Sequence, residues 1–149
     1  MWLSDQSKAR LALGVILLGA TLFPAALSAA EAMDSTERQL QRCLDDAENA
    51  STAGQTGCQD NAANAYDRRM NAAYATLMRD LPANAAAHLR DAQRAWLLFR
   101  DTNAKATSAL FETRKGTMYV PMQAASQAAT VRDRAIELEH LQQILRIEG

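Results

Sequence analysis

The alternation of polar and apolar residues that marks a half-buried strand is missing from this chain, which leaves a sheet nothing to be built from. Cationic excess is missing too. The chain has 16 lysines and arginines against 17 aspartates and glutamates, a net charge of −1, so nothing draws nucleic acid or an anionic membrane from a distance. Histidine occurs only as His88 and His140, and the pair His88 with Asp91 has no further ligands to hold a metal. The two cysteines have neither a second pair nor a histidine cluster, which argues against zinc. Neither has a base at a recognisable offset, which argues against a thiol nucleophile. No phosphate loop, serine elbow or dinucleotide fingerprint is present, and Glu137 and Glu139 lie on different helix faces, where acid–base cooperation is poor. Catalysis, a metal and a cofactor are therefore not expected.

What is present begins with an export signal. Lys8 and Arg10 precede an apolar run from Leu11 to Phe23, and Ser28, Ala29 and Ala30 supply the small residues of a cleavage site. Residues 1–30 read as a signal peptide cleaved after Ala30, the alternative being an uncleaved anchor. The run falls short of the roughly 20 apolar residues that cross a bilayer, so stable membrane insertion is not expected after cleavage. Residues 31–149 then form one periplasmic or secreted domain. In an oxidising compartment Cys43 and Cys58 have one pairing available, and closing that loop constrains the unfolded chain by about 3 kcal/mol.

The pattern of this domain is helical throughout. Asp34-Ser35-Thr36-Glu37 has the form of a capping box, and Leu40, Cys43, Leu44 and Ala47 give the first helix a short apolar stripe ending near Asn49. Residues 51–57 read as a turn, although a helix capped at Ser51 or Thr52 could run through Gly54 and Gly57. A second helix is expected over about 56–80, with Cys58, Ala62, Tyr66, Met70, Ala73, Leu77 and Leu81 on its core stripe and Arg68, Arg69 and Arg79 in solvent. Pro82 stops it. Asn84 is a candidate cap for a third helix reaching Phe111 or Glu112. Residues 112–120, ETRKGTMYV, form the longest loop candidate, and Pro121 suits the first turn of a last helix whose core face is Val131, Ala135, Leu138, Leu141 and Leu145. Arg132, Arg134, Glu137 and Glu139 are assigned to its outer face. These elements predict an all-α, compact four-helix bundle with one disulfide.

Aromatics make up 5% of the chain, so a few large residues must carry much of the core: Tyr66, Tyr74, Trp96 and Phe99 are the expected anchors. Trp96 and Phe99 belong to the stretch AQRAWLLFRD, 92–101. There Gln93, Arg94, Arg100 and Asp101 surround an apolar seam at helical spacing, with Asp67 and Asn71 one turn apart on the preceding helix. These six polar residues read either as a network that fixes bundle register, with Arg100 held by Asp67 or Asp101 and Gln93 bonded to a facing helix, or as a recognition surface.

The spaced Cys43 and Cys58, YDRRMNAAYATLMRDL at 66–81, LRDAQRAWLLFRDTNA at 89–104 and RAIEL at 134–138 together resemble the LprI-like lysozyme-inhibitor family. The resemblance spans nearly the whole mature chain and implies a secreted or envelope-attached, helical, disulfide-bonded binding protein. It also implies a second bridge in many relatives. The corresponding places here fall near Ala104 and near Ala124 or Ala125, so the tie between the last two helices should be looser. Tyr66 stands where relatives often carry tryptophan.

The expected function is inhibition of a lysozyme-type muramidase by occluding its cleft. Arg114 and Lys115, with Tyr119, are the candidate target-binding residues, because a cationic loop tip suits a cleft in which two carboxylates do the chemistry. The competing expectation is a periplasmic structural, adaptor or immunity-type module with no enzyme target, and the same tip as a solvated turn.

Overall fold

Asp34 starts the first helix with its own carboxylate, whose Oδ1 accepts from the backbone amides of Thr36 and Glu37 at 2.8 and 3.0 Å. The computed structural model describes residues 34–147, so the signal-peptide reading of residues 1–30 lies outside the described residues. Four α-helices follow that cap: α1 (Ser35–Asp45), α2 (Thr52–Asp80), α3 (Ala83–Glu112) and α4 (Tyr119–Leu145), with one 3-10 turn at Ala47–Asn49. Strands are absent among the described residues, and no described helix is long and apolar enough to cross a membrane.

Residues 52–57 are helix, the alternative to the turn first expected over 51–57. Ser51 caps α2 by accepting from the Gly54 amide at 3.0 Å. Gly54 is tolerated there because the chain just before α2 lies against it: a Cβ on Gly54 would sit 2.6 Å from the Asn49 Cα. Other boundaries move less. Asn84 does not cap α3, which begins after Pro82 without a side-chain cap. The last connection shortens to residues 113–118, and Gly116 takes a φ of 112° within it.

Contacts along the helices fix their directions. The Cys43–Cys58 disulfide, with Cα atoms 5.7 Å apart, joins the end of α1 to the start of α2, while Asp34 and Thr36 at the other end reach Arg69, so α1 is antiparallel to α2. Arg69 in mid-α2 meets Glu139 of α4, and Leu77 lies beside Leu141 and Leu145, so α2 and α4 run parallel. Between them in sequence α3 returns in the opposite sense, from Leu89 beside Leu77 to Ser108 beside Gln123.

The four helices form the expected all-α domain, and packing within it is uneven. Helices α2 and α4 lie against each other along their lengths, whereas α3 stands off from both and reaches them mainly through side chains. The core is Ala62, Tyr66, Met70, Ala73 and Leu77 of α2 with Ala135 and Leu138 of α4. Alanine at three of those seven places lets the two backbones approach closely. Leu40, Tyr74, Leu81, Leu89, Trp96 and Val131 pack around that core while remaining partly exposed. Phe99 is not an anchor, since 55% of it is exposed, and Leu141 and Leu145 are likewise open to solvent.

Candidate functional site

Two arginines, both assigned to solvent-facing positions by periodicity, hold the described domain together. Arg69 donates from Nε to Glu139 Oε1 at 2.7 Å and from Nη2 to Glu139 Oε2 at 2.6 Å, while its Nη1 reaches Asp34 Oδ1 at 2.9 Å and Thr36 Oγ1 at 3.0 Å. One guanidinium thereby ties α1, α2 and α4 in the fork geometry that only arginine offers. Its side also covers the Tyr66 ring, 5.0 Å from the centroid. The buried Tyr66 hydroxyl donates to Asp34 Oδ2 at 3.1 Å and Glu37 Oε2 at 3.4 Å, which occupies the Glu37 side chain. Burial, and after it the Asp34 carboxylate, pushes the Tyr66 phenol far above its ordinary range.

Arg134 is the second. It is 7% exposed, donates from Nε to Gln93 Oε1 at 2.9 Å and from Nη1 to Glu137 Oε2 at 2.8 Å, and lies 6.0 Å from the Trp96 ring centroid. Gln93 is itself buried and turns its Nε2 toward Met70 Sδ at 3.8 Å, so it touches α2 and α4 together. The α3 seam is therefore centred on Gln93, with Ala86, Leu89, Trp96 and Arg100 along it.

The six polar residues expected to act together are not one network. Gln93 is in the interior with Arg134. Arg100 bonds its chain neighbour, with Nε and Nη2 at 2.9 and 2.8 Å from Asp101 Oδ1, and lies 5.6 Å from the Trp96 ring centroid. Asn71 donates to Asp67 Oδ2 at 2.9 Å within α2 and meets neither Arg100 nor Gln93. Arg94 projects into solvent, 3.5 Å from Asp91. The α3–α4 turn holds Arg114 and Lys115 exposed, and Tyr119, the first residue of α4, is half-buried. Leu110, Met118, Val120 and Met122 flank it, exposed by 56%, 60%, 53% and 49%.

The comparisons with known proteins fit this arrangement. The family model described as lysozyme inhibitor LprI matches residues 43–138, from the first disulfide cysteine to the buried Leu138. The chain belongs to the LprI family. A crystal structure of an uncharacterised protein from Burkholderia thailandensis resembles it with a TM-score of 0.72 at 33% identity, over 76% of this chain and 56% of that one. This LprI-family chain thus spans little more than half of that protein's length. Among curated proteins nothing matches.

Sequence reasoning found the disulfide of this LprI-family domain and missed both arginine ties. The partner of Arg69 is 70 residues away and that of Arg134 is 41 residues away, so no local spacing announces either. Ala104 lines a cavity between α3 and α4, and nearby Gln123 donates to Ser108 Oγ at 2.8 Å.

Proposed function

We propose that this protein is an exported binding protein that inhibits a lysozyme-type muramidase by placing the α3–α4 turn in the enzyme's cleft. Membership of the LprI family over residues 43–138 is the observation that carries the reading. The geometry supports it from the side of shape and charge. The turn stands where two long helices meet, Gly116 makes it tight, and Arg114 and Lys115 are its exposed cations. A muramidase cleft offers paired carboxylates, and a cation entering a water-poor cleft gains more from them than it would in bulk solvent. Leu110, Met118 and Val120 supply apolar contact around the charged tip. Export by a signal peptide cleaved after Ala30 belongs to the same reading, as does a non-catalytic role.

Mixing the purified protein with lysozymes of several classes and following clearance of a peptidoglycan suspension tests this. The reading expects stoichiometric inhibition of at least one class, and no inhibition at large molar excess removes it. A second reading, an envelope adaptor or immunity-type module, draws on the row Leu97, Leu98 and Phe99, exposed by 37%, 68% and 55% on the outside of α3. Affinity capture from a periplasmic extract separates the two, because an adaptor recovers an endogenous protein and no muramidase.

A further inference from the structure

The space that α3 leaves by standing off from α2 and α4 is a cavity of about 240 Å³, with Ala63, Ala104 and Val131 as apolar lining and Asn103, Thr107 and Gln127 among its polar residues. It is smaller than the roughly 300–1,000 Å³ of drug-sized pockets, which limits an occupant to about one ring. The side chains of Asn103, Thr107, Ser126 and Gln127 make no hydrogen bond to another described residue, although Ser126's carbonyl accepts from Thr130 at 3.1 Å. At the rim the charge of Arg100 is already matched by Asp101 at 2.8 Å. The cavity therefore offers unengaged amides and hydroxyls, half-buried at Asn103, Thr107 and Ser126 and exposed at Gln127, over an apolar floor and without net charge.

We propose that this cavity binds a single neutral N-acetylated amino sugar. Two side-chain amides, Asn103 and Gln127, each present a donor and an acceptor, which matches the N–H and C=O of an acetamido group. Its methyl group suits Ala63, Ala104 or Val131, and the hydroxyls of Thr107 and Ser126 suit those of the ring. With Arg100 and Asp101 paired at the rim, no net charge is left there to draw a carboxylated or phosphorylated ligand, which favours a neutral one. The site is separate from the α3–α4 turn, so the proposal stands or falls independently of muramidase inhibition.

N-acetylglucosamine titrated into the purified protein, followed by amide NMR shifts and by Trp96 fluorescence, tests it. Saturable shifts are expected at Asn103, Thr107 and Gln127, with a fluorescence change because Arg100 lies over Trp96. Glucose, which lacks the acetamido group, should bind roughly tenfold more weakly, the loss of about one hydrogen bond to the half-buried Asn103 or the exposed Gln127. Ala104→Leu fills the cavity and should abolish binding; if that variant does not fold, the double change Asn103→Ala with Gln127→Ala replaces it. The proposal is overturned by no saturable shift, by equal binding of glucose, by binding of N-acetylalanine amide in place of the sugar, or by undiminished binding to a folded variant.

Discussion

Arg69 of α2 and Glu139 of α4 meet in a two-pronged pair, Nε to Oε1 at 2.7 Å and Nη2 to Oε2 at 2.6 Å, and the same guanidinium reaches back to Asp34 at the first residue before α1. Parallel α2 and α4 share a core rich in alanine, which by itself would tolerate sliding. The paired carboxylate fixes how far one helix is advanced along the other.

Removing the fork should therefore cost more than an ordinary surface ion pair. Arg69 and Glu139 keep 25% and 29% of their side-chain surface exposed, between buried and free. Arg69→Met is expected to lower stability by about 2 kcal/mol, and Arg69→Lys to recover only part of it, because an ammonium cannot make both bonds at once. Chemical denaturation of the three proteins checks this. Equal stability of all three would remove the register role.

Asp34 gives the domain an acid sensitivity. Burial alone would raise its carboxyl, but the Glu37 amide, Arg69 and the Tyr66 hydroxyl together outweigh that and hold it below the ordinary carboxylate value. A group lowered in the folded state contributes stability above its unfolded value near 3.9, and that contribution disappears as pH falls through the folded value. Urea unfolding measured between about pH 5 and pH 2 should show a steeper loss in the natural protein than in Asp34→Asn.

Two glycines in the first turns of α2 should respond in opposite directions. Alanine at Gly54 would place its Cβ 2.6 to 2.9 Å from Asn49 backbone atoms, which is expected to destabilise by about 1–3 kcal/mol despite alanine's better helix propensity. At Gly57 nothing lies within 4 Å, and alanine should stabilise by about 0.5–1 kcal/mol. Thermal melting of both variants distinguishes them directly.

Trp96 and Phe99, three residues apart, should separate as well. Trp96→Ala removes a ring packed against the core and flanked by Arg100 and Arg134, for an expected loss of about 2–3 kcal/mol, less than for a fully buried ring. Phe99→Ala alters a residue 55% exposed and should stay within about 0.5 kcal/mol of the natural protein.

That contrast shows where the sequence was legible. Helix identities followed from apolar spacing, Pro82 and the Asp34 cap, all of which are local. The anchoring of α3 did not, because its contact row runs through Ala86, Leu89, Gln93, Trp96 and Arg100 with a glutamine at the centre. At 100° per residue Phe99 lies about 100° from the centre of that row. A hydrophobic count favoured Phe99 over Gln93, whereas pairing with Arg134 is what permits Gln93 to be buried. The disulfide was legible for another reason, that two thiols allow one pairing. The Arg114–Lys115 turn was legible as a breaker around Gly116, but what it binds depends on a partner surface that no spacing in this chain encodes.

The most direct test of the account is the inhibition of lysozyme by the double charge reversal Arg114→Glu with Lys115→Glu, compared with the natural protein and with Phe99→Ala. Both side chains of the turn are exposed, so folding should be unaffected and circular dichroism should overlay. The double variant is expected to lose inhibition while Phe99→Ala retains it. Full inhibition by the double variant, or its loss in Phe99→Ala alone, would contradict the placement of the turn in the cleft.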